Sequence, residues 1–103
     1  MARTTTWRPH GTHGKLTEAK EAALPDAAFA FPNQRKAPLT DAGSVRSAIA
    51  RFSEVEDVSD EDRELAFENI RKAAEYFHVK MTETDWRQLG TRPGDEPFRR
   101  TNR

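Results

Sequence analysis

A chain of 103 residues, of which 35% are hydrophobic and 33% charged, holds apolar material for a mostly helical core of roughly 50 residues. The absence of cysteine excludes disulfides as a brace for so small a core and fits a reducing compartment. The longest apolar run, Ala27 to Phe31, is far too short to span a bilayer. The polar, basic stretch from Met1 to His10 does not read as a signal peptide, so a cytoplasmic protein without membrane contact is expected.

Net charge is zero, but the signs are segregated. Residues 1–16 carry Arg3, Arg8 and Lys15 and no acid, and residues 91–103 carry four arginines against Asp95 and Glu96. Residues 41–79 carry ten acids and five bases. This divides the chain into a flexible basic N-terminal arm (1–16), a small helical domain (17–90) and a flexible basic C-terminal tail (91–103).

In chain order, Thr17 is placed to cap a short helix through Ala23, with Glu18 in its first turn and Pro25 stopping it. Phe29 and Phe31 then alternate with alanine at a strand-like period of two, and Pro32 and Pro38 forbid a helix. Two forms fit: an extended strap that plugs its phenylalanines into the core, which we favour, or a minimal β-hairpin turning at Asn33–Lys36. Thr40 or Asp41 caps the next helix, to about Phe52, with Ala42, Val45, Ala48, Ile49 and Phe52 within an arc of roughly 120°.

Ser59 opens the following helix, to about Phe77, with Asp62 at capping-box spacing behind it. Ala66, Phe67, Ile70, Ala73, Ala74 and Phe77 again cover roughly 120° of its face. Two such helices on a short link predict an antiparallel pair. At the end of the second, His78 must take the left-handed position that glycine usually fills. Thr82, with Asp85 three residues on, predicts a short helix from Glu83 to Leu89, ended by Gly90. The expected fold is therefore mainly α: a small bundle of two main helices and a short C-terminal one, seamed by a phenylalanine-bearing strap.

Little in the chain suggests chemistry. His10 and His13 are separated by Gly11 and preceded by Pro9, His78 is remote, and a zinc site needs three or four ligands. Asp60, Glu61 and Asp62 are explained by the helix start they follow. There is no glycine-rich phosphate loop, no cysteine nucleophile and no serine elbow. The expectation is a protein without catalytic residues, metal or cofactor.

Trp86 is expected to anchor the bundle with its indole N–H on a carbonyl. Trp7, in Thr6-Trp7-Arg8-Pro9, either docks back on the helices or anchors a partner, and the same choice applies to Phe98 in Pro97-Phe98-Arg99-Arg100. Candidate partner-binding residues are Trp7, Arg8, Phe31, Trp86, Phe98, Arg99 and Arg100. They suit a non-catalytic module that docks on another protein or on itself. The alternative is a nucleic-acid-binding accessory protein whose basic, aromatic-bearing arms stack on bases and neutralise phosphates. The six acids of the Ser59–Phe77 segment argue against that helix entering a DNA groove.

Residues 24–79 contain a pattern: Leu24-Pro25-Asp26, Ala28-Phe29-Ala30, Arg35-Lys36, Pro38-Leu39, Asp41-Ala42, Val45-Arg46 and Ala48-Ile49-Ala50-Arg51-Phe52, closing on Ala73-Ala74 and Phe77-His78-Val79. It resembles a small uncharacterised family associated with actinobacteria and their phages. The chain departs from that pattern at His78, where similar proteins have glycine, and at Gly43-Ser44. Similar modules accompany phage head and maturation proteins, so the resemblance implies an assembly or protein-binding role and an ordered Leu24–Leu39 segment. It supplies no functional residues.

Overall fold

The computed structural model describes residues 5–10 and 17–90. The first helix, α1 (Glu18–Ala23), starts as expected, with the Thr17 hydroxyl accepting from the Lys20 N–H at 3.2 Å. After Pro25 a 3-10 turn (Asp26–Ala28) delivers the chain to an antiparallel pair, β1 (Phe29–Phe31) and β2 (Lys36–Pro38).

The favoured strap is thus corrected to the hairpin. The chain reverses in the four residues 32–35, the last of which, Arg35, takes a left-handed φ of 54°. Phe29 lies opposite Pro38 and Phe31 opposite Lys36. The Leu39 N–H donates to the Ala28 carbonyl at 2.8 Å, just outside the Phe29–Pro38 pair. Pro38 therefore occupies a non-hydrogen-bonded position, where its missing donor is not needed.

Asp41 is the cap of α2 (Ala42–Ala50): its carboxylate accepts from the Ser44 N–H at 2.7 Å, and the Ser44 hydroxyl accepts from the Asp41 N–H at 3.0 Å. The reciprocal pair explains the serine at a position where the family resemblance suggested a bulkier polar residue. The helix ends at Ala50, and Phe52 enters the core from a 3-10 turn (Phe52–Glu54). Ser59 and Asp62 form the expected capping box of α3 (Asp60–Tyr76), at 3.0 and 3.2 Å. His78 takes the left-handed position, with φ 61°.

The expected helix from Glu83 to Leu89 is replaced by a 3-10 turn, Trp86–Gly90. The Gln88 side-chain oxygen accepts from the Thr84 and Asp85 N–H groups at 2.6 and 3.0 Å, and the Asp85 carboxylate accepts from the Arg87 N–H at 2.8 Å. Asp85, not Thr82, starts the turn because Gln88 stands where the reciprocal cap requires.

The core is not a helix–helix seam under a cover. β1 packs along α3, β2 packs on α2, and α2 meets α3 beside them. Trp7, Phe31, Leu39, Val45, Phe52, Phe67 and Ile70 belong to one buried cluster, while Leu24, Ala28 and Phe29 form a smaller one. The result is a small, mostly helical fold with a two-stranded hairpin built into its centre. Among the described residues no helix is long and apolar enough to cross a membrane.

Within the segment expected to be a flexible arm (1–16), Trp7 inserts into the core at 1% exposure and the Arg8 N–H donates to the Ala27 carbonyl at 3.0 Å, while Thr6, Arg8, Pro9 and His10 stay exposed. Residues 91–103 lie outside the described residues.

Candidate functional site

Among the described residues, a densely hydrogen-bonded slot holds Thr6 and Trp7. Its centre is Asn69, fully buried on α3. The Asn69 carboxamide oxygen accepts from the Thr6 and Trp7 backbone N–H groups at 2.9 and 3.0 Å. Its amide nitrogen donates to the Thr6 hydroxyl at 3.0 Å and to the Ala30 carbonyl of β1 at 2.9 Å. All four hydrogen-bonding positions of the carboxamide are used, which fixes its orientation. One side chain thus ties an extended segment to both α3 and the hairpin.

The indole of Trp7 fills the slot beyond Asn69. Its Nε1–H donates to the Leu39 carbonyl at 3.0 Å. Tyr76 and Phe77 stand edge-on to its ring, with centroids 5.7 and 5.9 Å away. Tyr76 is itself 56% exposed, so it forms the outer lip of the slot. Lys72 reaches the Thr5 hydroxyl at 3.4 Å from the same side. The slot therefore holds two consecutive backbone N–H groups, a hydroxyl and an indole of the same chain.

The remaining sequence candidates fall in different places. Arg8 is exposed beside the slot. Phe31 is 1% exposed and stacks at a tilt on Phe52, at 5.6 Å, so it is core and not a surface anchor. Trp86 lies half-buried on the far side of Phe52, at 6.4 Å, with Arg87 and Arg63 over its ring at 4.5 and 5.6 Å. Its indole N–H is buried and finds no acceptor among the described residues, contrary to the expected carbonyl bond. Phe98, Arg99 and Arg100 lie outside the described residues.

Two grooves flank these features. One, of about 420 Å³, runs between β2 and α2 over Ala37, Pro38, Ala48 and Val55, with Lys36 and Arg51 at its rim. The other, of about 400 Å³, is polar and lies along α3 beside Thr5, between Glu68, Arg71, Lys72 and Glu75. Among the described residues no three histidine, aspartate or glutamate side chains gather as a metal ion would require.

Several residues of the Leu24–Val79 sequence pattern have architectural roles. The Arg35 guanidinium donates to the Glu21, Ala22 and Leu24 carbonyls at 3.2, 3.3 and 2.9 Å, closing the C-terminal end of α1. It also meets the Asp26 carboxylate at 2.6 Å and lies 4.7 Å over the Phe29 ring. Leu24, Asp26, Phe29 and Arg35 thus form one joint between α1 and the hairpin.

Asn69 went unnoticed in the sequence. The available signal was an asparagine in a helix interior, where its propensity is poor, at the edge of the apolar stripe formed by Ala66, Ile70 and Ala73.

A family model described as a family of unknown function (DUF6582) matches residues 15–84, and the chain belongs to that family. No curated protein and no solved structure matches it. The matched stretch contains every residue that builds the slot, and Trp7 lies before it.

Proposed function

We propose that this protein is a non-catalytic interaction and assembly module that works by clasping an extended polypeptide segment. The supporting observation is the manner in which residues 5–10 are held: through backbone N–H groups on Asn69 and one aromatic anchor in a closed slot. Recognition of an extended backbone by fixed polar groups, with a pocket for one large side chain, is how peptide-binding modules combine affinity with selectivity. The likeness to modules that accompany phage head and maturation proteins favours the same reading and suggests assembly as its setting.

The test uses the 103-residue chain carrying Trp7→Ala, which leaves the slot without its anchor. A labelled peptide with the sequence of residues 1–10 is titrated in and followed by fluorescence anisotropy. Saturable binding is expected, with loss when alanine replaces the peptide's tryptophan. Absence of binding by a variant that retains its helical circular dichroism overturns the proposal. If that variant does not fold, a protease site placed within residues 11–16 of the wild-type chain substitutes for it. After cleavage the N-terminal piece is expected to co-elute with the remainder, and its immediate loss is the adverse result.

The nucleic-acid reading retains the exposed Arg8, but Trp7 turns into the core and is not offered for stacking on a base. A gel-shift series decides it: binding that weakens steeply with salt supports phosphate neutralisation, and no shift at low salt removes it.

A further inference from the structure

We propose that the groove between β2 and α2 is a separate interaction surface, which takes an extended, acidic segment of a partner protein. It goes beyond the slot: none of the groove's lining residues is among those described as holding Thr6 and Trp7.

Three observations carry it. The first is the floor of the groove, which has a volume of about 420 Å³ and is formed by Ala37, Pro38, Ala48 and Val55. Ala37, Pro38 and Val55 are only half-buried, so the fold leaves apolar surface here in contact with water. Covering that surface with small apolar side chains is favourable.

The second is charge. Lys36 and Arg51 stand exposed at the rim, and neither side chain has a hydrogen-bond or ion-pair partner among the described residues. Arg35, Arg63, Arg71 and Arg87, by contrast, each meet a carboxylate. Neither the hairpin (29–38) nor α2 carries an acid, so the counter-charge is left for an incoming segment to supply. Glu54 also lines the groove, and no aromatic ring does. A phosphate backbone, charged at every unit and needing rings for its bases to stack on, fits this lining poorly. A peptide with spaced carboxylates fits it well.

The third is backbone strain. Ala37 holds a φ of 61° within a strand on the groove floor, a conformation disfavoured for a residue with a Cβ. Strained residues of this kind gather where a fold grips a ligand, because the surrounding structure has to enforce them. An extended segment lying along β2 would set alternate side chains on the floor and the intervening ones at the rim. Valine alternating with glutamate has that pattern.

The probe is therefore a short peptide of alternating glutamate and valine, titrated into the wild-type 103-residue chain and followed by amide NMR spectra. Saturable shifts are expected at Ala37, Ser47, Ala48 and Arg51, with the Trp7 and Asn69 signals unmoved. Replacing the peptide's glutamates by glutamine should weaken binding about tenfold, a comparison that needs no protein variant. The double variant Lys36→Gln, Arg51→Gln changes only exposed side chains and should show the same loss. Absence of shifts at the groove residues, or equal binding of the charged and uncharged peptides, overturns the proposal. Saturation of the same residues by oligothymidylate and not by the peptide overturns it too. The reading of the slot survives any of these results, since Trp7→Ala tests it separately.

Discussion

The two tryptophans of this chain occupy opposite physical situations. Trp7 comes from the stretch least like a domain, yet it is sealed in the core with its N–H on the Leu39 carbonyl and its backbone on Asn69. Trp86 comes from the predicted base of the bundle, yet it lies half-buried between two arginines, with an indole N–H that has no acceptor among the described residues. Burial of an aromatic ring is favourable wherever an apolar slot exists, but its polar handle has to be matched by a specific group. The fold supplies that group for Trp7, and an indole so fully satisfied acts as a fastener.

The comparison can be broken by mutation. Trp7→Ala should destabilise the chain by about 3–5 kcal/mol, the range for emptying a buried aromatic site, and Trp86→Ala by clearly less, about 1–2 kcal/mol. Chemical denaturation monitored by circular dichroism gives both values, and equal losses would end the distinction. Asn69→Leu follows at about 2–3 kcal/mol, because it strands the Thr6 and Trp7 N–H groups and the Ala30 carbonyl. Amide hydrogen exchange in that variant should quicken at Trp7 and Arg8 before it quickens in α3.

A sharper contrast keeps both rings and removes only the indole N–H. Trp7→Phe should cost about 1–2 kcal/mol, since the Leu39 carbonyl loses its donor and the smaller ring leaves space. Trp86→Phe should change stability by less than about 1 kcal/mol, because no hydrogen bond is lost and a buried orphan donor is removed. The smallest effect is expected away from both rings. Ala37, on β2 beside the apolar groove, has a φ of 61°, which an alanine adopts under strain. Ala37→Gly should therefore be neutral or stabilising by about 0.5 kcal/mol, the relief of strain being offset in part by the greater freedom of glycine in the unfolded chain.

The pattern of legibility in the sequence follows the same division. The capped helix starts at Thr17 and Ser59, the second start to within Thr40 or Asp41, the apolar stripes of α2 and α3 and the left-handed His78 were all readable. Each depends on groups within a turn or two of one another, so local sequence determines the outcome. At Trp86 that reasoning faltered, because two overlapping cap patterns competed and Asp85–Gln88 prevailed over Thr82–Asp85.

The slot lay beyond such reasoning. Trp7 and Asn69 are 62 residues apart, and nothing near either one announces the other. Whether Phe29–Phe31 formed a strap or a hairpin, and which tryptophan found a hydrogen-bond acceptor, depended on surfaces that exist only after α3, the hairpin and the N-terminal segment have come together. Sequence by itself determined where the helices begin and which faces they bury. Tertiary structure alone decided what fills the space between them, because a buried polar side chain is tolerated only where distant parts of the chain satisfy it at once.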